Sequence, residues 1–212
     1  MVSSVVETNL SDWKFLGHSV HSLSIIPEAH KTKTDEEKGP AILLIHGFGA
    51  STTHWRHNLP VLGKQYEVHA LDLLGFGKSS KPSGLAYGGP LWKDQIVAYV
   101  KEKIGRPTIL VGNSLGGYAA LASGAAMGPE AAGVVLLNAA GYFSEDKKTT
   151  KGTWATARKT VAGIFLKNAL LQRIIFENLR QPSTIKRTLN QVYIDTSNVD
   201  DDLVEAIRKP SL

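Results

Sequence analysis

The 212-residue chain contains no cysteine. This excludes disulfide cross-links, thiolate catalysis and cysteine-ligated metal centres. Histidine is absent from most of the chain: all seven (His18, His21, His30, His46, His54, His57 and His69) lie in the first third, and none follows His69. No apolar run approaches the roughly 18–20 residues that span a bilayer. The opening MVSSVVETNLSDWKF carries Glu7 and Asp12 and no basic segment leading into an apolar one, so neither a secretory signal nor an arginine-rich transit peptide is read. These absences predict a soluble, cytoplasmic chain.

What remains is an ordinary globular composition, 42% hydrophobic and 20% charged. A chain of this length buries roughly 70% of its unfolded surface without covalent staples. The formal charge of +5 is unevenly spread. Residues 1–141 hold 12 basic and 11 acidic groups, whereas 142–212 hold 12 and 8. Within the latter, 147–187 carries ten basic residues against one acid, Glu177. Its apolar residues (Trp154, Val161, Ile164, Phe165, Leu171, Ile175) recur at about helical spacing, which favours burial against a core. The functional alternative is contact with an anionic membrane surface. No recognition motif accompanies the charge, so nucleic acid is not an expected partner.

Apolar runs and helical periods alternate. Residues 13–26 read as two strands around Gly17, and the charged 27–40 as an exposed loop. Ala41–Ile45 is continuously apolar, as in a strand covered on both faces. A helix is predicted over 52–64, a strand at Glu67–Leu71, turns over 72–84 and a helix over 91–104 stopped by Gly105. Strands follow at Thr108–Val111 and Gly133–Leu137, separated by the small-residue helix YAALASGAAM. This alternation implies βαβ units and a mostly parallel sheet. From about 145 onward only helical patterns remain, so the expected domains are 1–141 and a helical 142–212.

Three glycine-rich turns carry the chemistry. Gly112-Asn113-Ser114-Leu115-Gly116 is G-x-S-x-G between a strand and a helix, a context that holds a serine in a sharp turn at the mouth of a sheet. By itself it also fits a glycine-rich turn with a helix-capping serine. His46-Gly47-Phe48-Gly49 follows the buried strand and suits an oxyanion hole, with amides from Phe48 and Leu115. His46 reads as a histidine supporting that loop rather than as a base. Asp72–Ser80 matches neither phosphate-binding glycine pattern and reads as a structural loop.

HGFGAS, DLLGFGKSS and GNSLGG, in this order and spacing, resemble the α/β-hydrolase superfamily. The stretch LWKDQIVAYVKEKIGRPTILVGNSLGGYAAL with LLNAAGYF is similar to the pheophytinase-like serine hydrolases of plants and cyanobacteria. The resemblance implies an α/β fold with helices on both faces of a mostly parallel sheet and a helical cap in 142–212. It implies Ser114 as nucleophile, Phe48 and Leu115 as oxyanion donors, and loop support from His46, Gly47, Gly112 and Gly116. No cofactor or metal is implied, and the substrate would be an apolar carboxylic ester, phytyl esters of chlorophyll-derived pigments included, with a plastid as the alternative location. Carbon–carbon hydrolases of ring-cleavage products share G-N-S-x-G-G and stand as one alternative. Such families place their acid and histidine after the serine. Here no histidine follows Ser114, and the acids that do follow read as cap surface or helix caps. The expectation is therefore a chain truncated within its cap, lacking the last strands, and inactive or severely impaired. A catalytically silent binding protein is the other alternative.

Overall fold

The computed structural model describes residues 8–140 and 169–211. They fall into two compact units, one ending at Gly141 and the other starting at Tyr142. The first is a six-stranded sheet of β1 (Thr8–Phe15), β2 (His18–Ile25), β3 (Ala41–Ile45), β4 (Val68–Leu71), β5 (Thr108–Asn113) and β6 (Ala131–Leu137), in the order β1-β2-β4-β3-β5-β6. The four strands β4, β3, β5 and β6 are parallel, and β2 joins them antiparallel at β4. β1 and β2 form a hairpin whose two-residue loop, Leu16-Gly17, has φ of 51° and 77°. Positive φ at both loop positions matches the twist of the strands.

β3 is apolar throughout because both faces are covered. Leu43 and Ile45 join Leu71, Leu110, Trp92, Ile96, Tyr99 and Ala119 on one side. Ile42 and Leu44 join Ile25, Trp55, Leu59 and Val68 on the other. β6 is an outer strand, and its Val135, Leu136 and Leu137 are exposed.

Helices α1 (Asp35–Lys38), α2 (Leu59–Leu62), α3 (Gly89–Tyr99) and α4 (Leu115–Met127) complete the unit. The helix predicted over 52–64 is interrupted: a 3₁₀ turn at Thr52–Trp55 precedes the short α2. Pro60 has no N–H to donate and crowds the carbonyl four residues back, which breaks continuity there. The 27–40 segment is not simply an exposed loop. It carries a 3₁₀ turn and α1, buries His30, and is held to the sheet by Arg106, whose Nε donates to the Gly39 carbonyl at 3.1 Å. α3 runs on through a π-type turn, Val100–Ile104, and stops at Gly105 with φ of 71°. α4 is built of small residues, and its own Gly116, Gly117, Ala119, Ala120, Ser123 and Gly124 are buried.

The second unit contains α5 (Ala169–Leu179), α6 (Pro182–Val192) and α7 (Asp201–Arg208). The Asp200 carboxylate accepts the Leu203 amide at 2.7 Å and so caps α7. Asp201 and Asp202 occupy its first turn and Arg208 its last, as the helix dipole favours. Lys186 of α6 pairs with Asp201 at 2.9 Å. Residues 147–168 of the basic stretch, Trp154 included, lie outside the described residues. Among the described residues no helix is long and apolar enough to cross a membrane.

Candidate active site

The junction of β5 and α4 is a tight turn centred on Ser114, which has φ 51° and ψ −116°. Side chains beyond glycine rarely occupy this region, and holding one there costs on the order of 1–3 kcal/mol. Surrounding bonds enforce it. The Ser114 amide donates to the Leu137 carbonyl at 2.9 Å, and its own carbonyl accepts from the amides of Gly117 (3.0 Å) and Ala140 (2.8 Å). The end of β6 and the segment after it thus grip the turn from both sides.

Glycines permit the close approach. A Cβ on Gly112 would strike the Gly116 carbonyl, and one on Gly116 would strike the carbonyls of Ile45 and His46. One on Gly47 would stand 3.2 Å from the Ser114 Cβ and 3.1 Å from Asn113 Oδ1. The loop after β3 is therefore pressed directly against the Ser114 turn. Phe48 and Leu115 are the next residues along each of the two touching segments. Of the residues singled out in the sequence, Gly47, Gly112, Ser114 and Gly116 meet at one point at the carboxyl ends of β3 and β5. Here a helix N-terminus offers amides that have no partner within the helix. Phe48 is 80% exposed, and its ring packs edge-on against Phe76 at 5.5 Å.

His46 is wholly buried, and both of its ring nitrogens are engaged. Nε2 accepts the Leu73 amide at 3.1 Å, which leaves the proton on Nδ1 to be donated to the Gly47 carbonyl at 2.7 Å. Burial holds its pKa below the ordinary value, against the pull of nearby Asp72. A neutral imidazole bridging two loops has no lone pair left for a serine proton.

Two buried polar groups, Asp72 and Glu67, had no individual role assigned from the sequence. Asp72, at the end of β4, is fully buried and takes backbone amides on both carboxylate oxygens. Its position just after a strand and just before two glycines was the available signal. At the opposite ends of the strands, Glu67 accepts from His69 at 2.9 Å and pairs with Arg106 at 3.0 Å. The second His69 nitrogen meets the Tyr99 hydroxyl at 3.2 Å. The alternation Glu-x-His within a strand placed both side chains on one face, but nothing local pointed to Arg106. Among the described residues no group of three or more His, Asp or Glu could hold a metal ion.

Residues 42–204 match the sequence profile described as the alpha/beta hydrolase family. The chain is 29% identical to the chloroplastic pheophytinase of Arabidopsis thaliana, an alignment covering 85% of this chain and 45% of that protein. It is 36% identical to 2-hydroxymuconate semialdehyde hydrolase of Pseudomonas sp. (strain CF600), over 50% of this chain and 39% of the relative. The chain thus spans less than half the length of either relative. Its fold also overlays on the meta-cleavage product hydrolase of Pseudomonas fluorescens IP01, with a TM-score of 0.64 and 22% identity, over 97% of this chain and 63% of that one.

Proposed function

Since the chain belongs to the alpha/beta hydrolase family, we propose that it carries the nucleophile and oxyanion half of a serine hydrolase acting on carboxylic esters. The observation that carries this reading is the backbone of Ser114, held at φ 51° in contact with the glycine of the neighbouring loop. In the proposed reaction, Ser114 Oγ attacks the ester carbonyl carbon and loses its proton to a base. The carbonyl π electrons move to oxygen, where the Phe48 and Leu115 amides stabilise the charge. As the intermediate collapses, the protonated base gives its proton to the leaving oxygen, which departs as the alcohol and leaves an acyl-serine that water then cleaves to release the acid. The likeness to a pheophytinase supports esters with a bulky apolar alcohol, phytyl esters among them, as the substrate class. On this reading the helical unit that begins at Tyr142 is the cap.

On this reading neither His46 nor His69 supplies the base. No histidine follows Ser114, and His46 and His69 each spend both ring nitrogens elsewhere. Loss of the base alone slows serine hydrolases by about a million-fold in kcat, so without a base supplied from elsewhere turnover at Ser114 is slow on this reading. The test is labelling by a fluorophosphonate probe with and without added imidazole, located by peptide mass spectrometry. The expected result is slow modification of Ser114, accelerated by imidazole and absent from Ser114→Ala. Labelling elsewhere, or no labelling with imidazole present, overturns the reading and leaves a silent binding protein. The likeness to a semialdehyde hydrolase favours a second reading, carbon–carbon bond hydrolysis, which loss of absorbance of a ring-cleavage product would reveal.

A further inference from the structure

The Asp72 carboxylate is buried deep in the first unit, yet the hydrolytic steps above make no use of it. Its Oδ1 accepts the amide of Thr52, on the loop after β3, at 2.6 Å. Its Oδ2 accepts the amide of Lys78, on the loop after β4, at 2.8 Å. The rest of the residue is fixed as firmly. Its carbonyl accepts from Ser79 Oγ at 2.7 Å and from Gln95 Nε2 at 3.2 Å, while its amide donates to the His21 carbonyl at 2.8 Å. Gln95, fully buried on α3, uses its other end to accept the Leu74 amide at 2.9 Å. Gly77, at φ 52°, wraps so closely that any Cβ there would collide with the carboxylate.

A second brace joins the same two loops. The Leu73 amide donates to His46, and His46 donates to the Gly47 carbonyl. The segment 46–52 is therefore tied at its start through Leu73 and at its end through Asp72, with Phe48 between the two ties. Only an acceptor-only, two-oxygen side chain satisfies both amides at the Asp72 position. An asparagine would turn its NH₂ toward one of them. Fixing loops in this way is chemically consequential, because oxyanion donors act through preorganised geometry.

We propose that Asp72 is a positioning residue: its carboxylate is a strut that sets where the Phe48 amide points, and so governs the oxyanion hole without touching substrate. This rests on the serine hydrolase reading of Ser114, and two readouts on the 212-residue chain keep the two ideas separable. The first is hydrogen exchange in Asp72→Asn. A strut predicts faster exchange confined to peptides covering 47–52 and 73–79, with β3 and β5 unchanged. Uniform acceleration across the sheet means a general stability role, and no change means no strut; either result overturns the proposal. The second readout is the imidazole-assisted labelling rate at Ser114. It should fall by about tenfold or more, within the roughly hundredfold that a 1 Å misplacement costs. An unchanged rate despite loosened 47–52 also overturns the proposal. If the wild-type chain is not labelled at all, the hydrolase reading fails, and the proposal that depends on it falls with it even where exchange is local. If Asp72→Asn does not fold, Gly77→Ala, which pushes a methyl group onto the same carboxylate, is measured in its place with the same expected outcomes.

Discussion

Strain at Ser114 has a measurable consequence for stability. At φ 51° and ψ −116° a residue with a Cβ is held in a sparsely populated region at a cost of about 1–3 kcal/mol. Ser114→Gly removes that cost. It also gives the unfolded chain more freedom, which destabilises the fold by about 0.4–1 kcal/mol. The net effect, taken against Ser114→Ala so that loss of the hydroxyl cancels, is a gain of about 0.5–2 kcal/mol for glycine. With a urea m-value of about 2 kcal/mol/M, the midpoint should rise by roughly 0.3–1 M. Fluorescence is a suitable probe, because Trp13, Trp55 and Trp92 are all buried in the first unit. Equal or lower stability of Ser114→Gly relative to Ser114→Ala would show that the turn is not strained, and would remove the main support for its functional assignment.

Three further outcomes follow from particular contacts. Gly116→Ala should destabilise by about 3 kcal/mol or fail to fold, because its Cβ meets the backbone carbonyls of Ile45 and His46, which have nowhere to move; a melting temperature within a few degrees of wild type would contradict this. Leu16, exposed and at φ 51° in the first hairpin loop, should gain about 0.5–1 kcal/mol on Leu16→Asn, since Asn-Gly suits that turn; chemical denaturation showing no gain would count against it. Burial lowers the pKa values of His30, His46 and His54 from the ordinary 6.5, so the unfolded chain binds protons that the folded chain refuses. Their contribution to stability is complete above pH 6.5 and is lost as pH falls below it. Glu67 adds a second loss between pH 4.5 and about 2: burial opposes its ionisation, but His69 and Arg106 hold it down to about 2. A urea midpoint unchanged between pH 7 and pH 5 would refute the histidine part.

The fold and the site were legible in the sequence to different depths, for one physical reason. Burial on two faces leaves a mark on neighbouring residues, so Ala41–Ile45 reads as a central strand and is one. A strand-to-helix turn needs small residues at fixed offsets, so Gly112-Asn113-Ser114-Leu115-Gly116 marks the place where the backbone is forced to positive φ. Both signals are local. The antiparallel pairing of β2 with β4 is not local. The break in the helix predicted over 52–64 has a local mark in Pro60. Buried polar groups were the least legible, because the partner that makes burial tolerable is chosen by the fold and not by the neighbours in sequence. Asp72 reaches 20 residues back to Thr52, and His46 reaches 27 residues forward to Leu73. The same two loops supply the proposed oxyanion geometry, so the parts of the site that sequence motifs reveal are held in place by contacts that motifs do not record. A substitution such as Asp72→Asn leaves HGFGAS and GNSLGG intact, and should nonetheless alter the behaviour of Ser114.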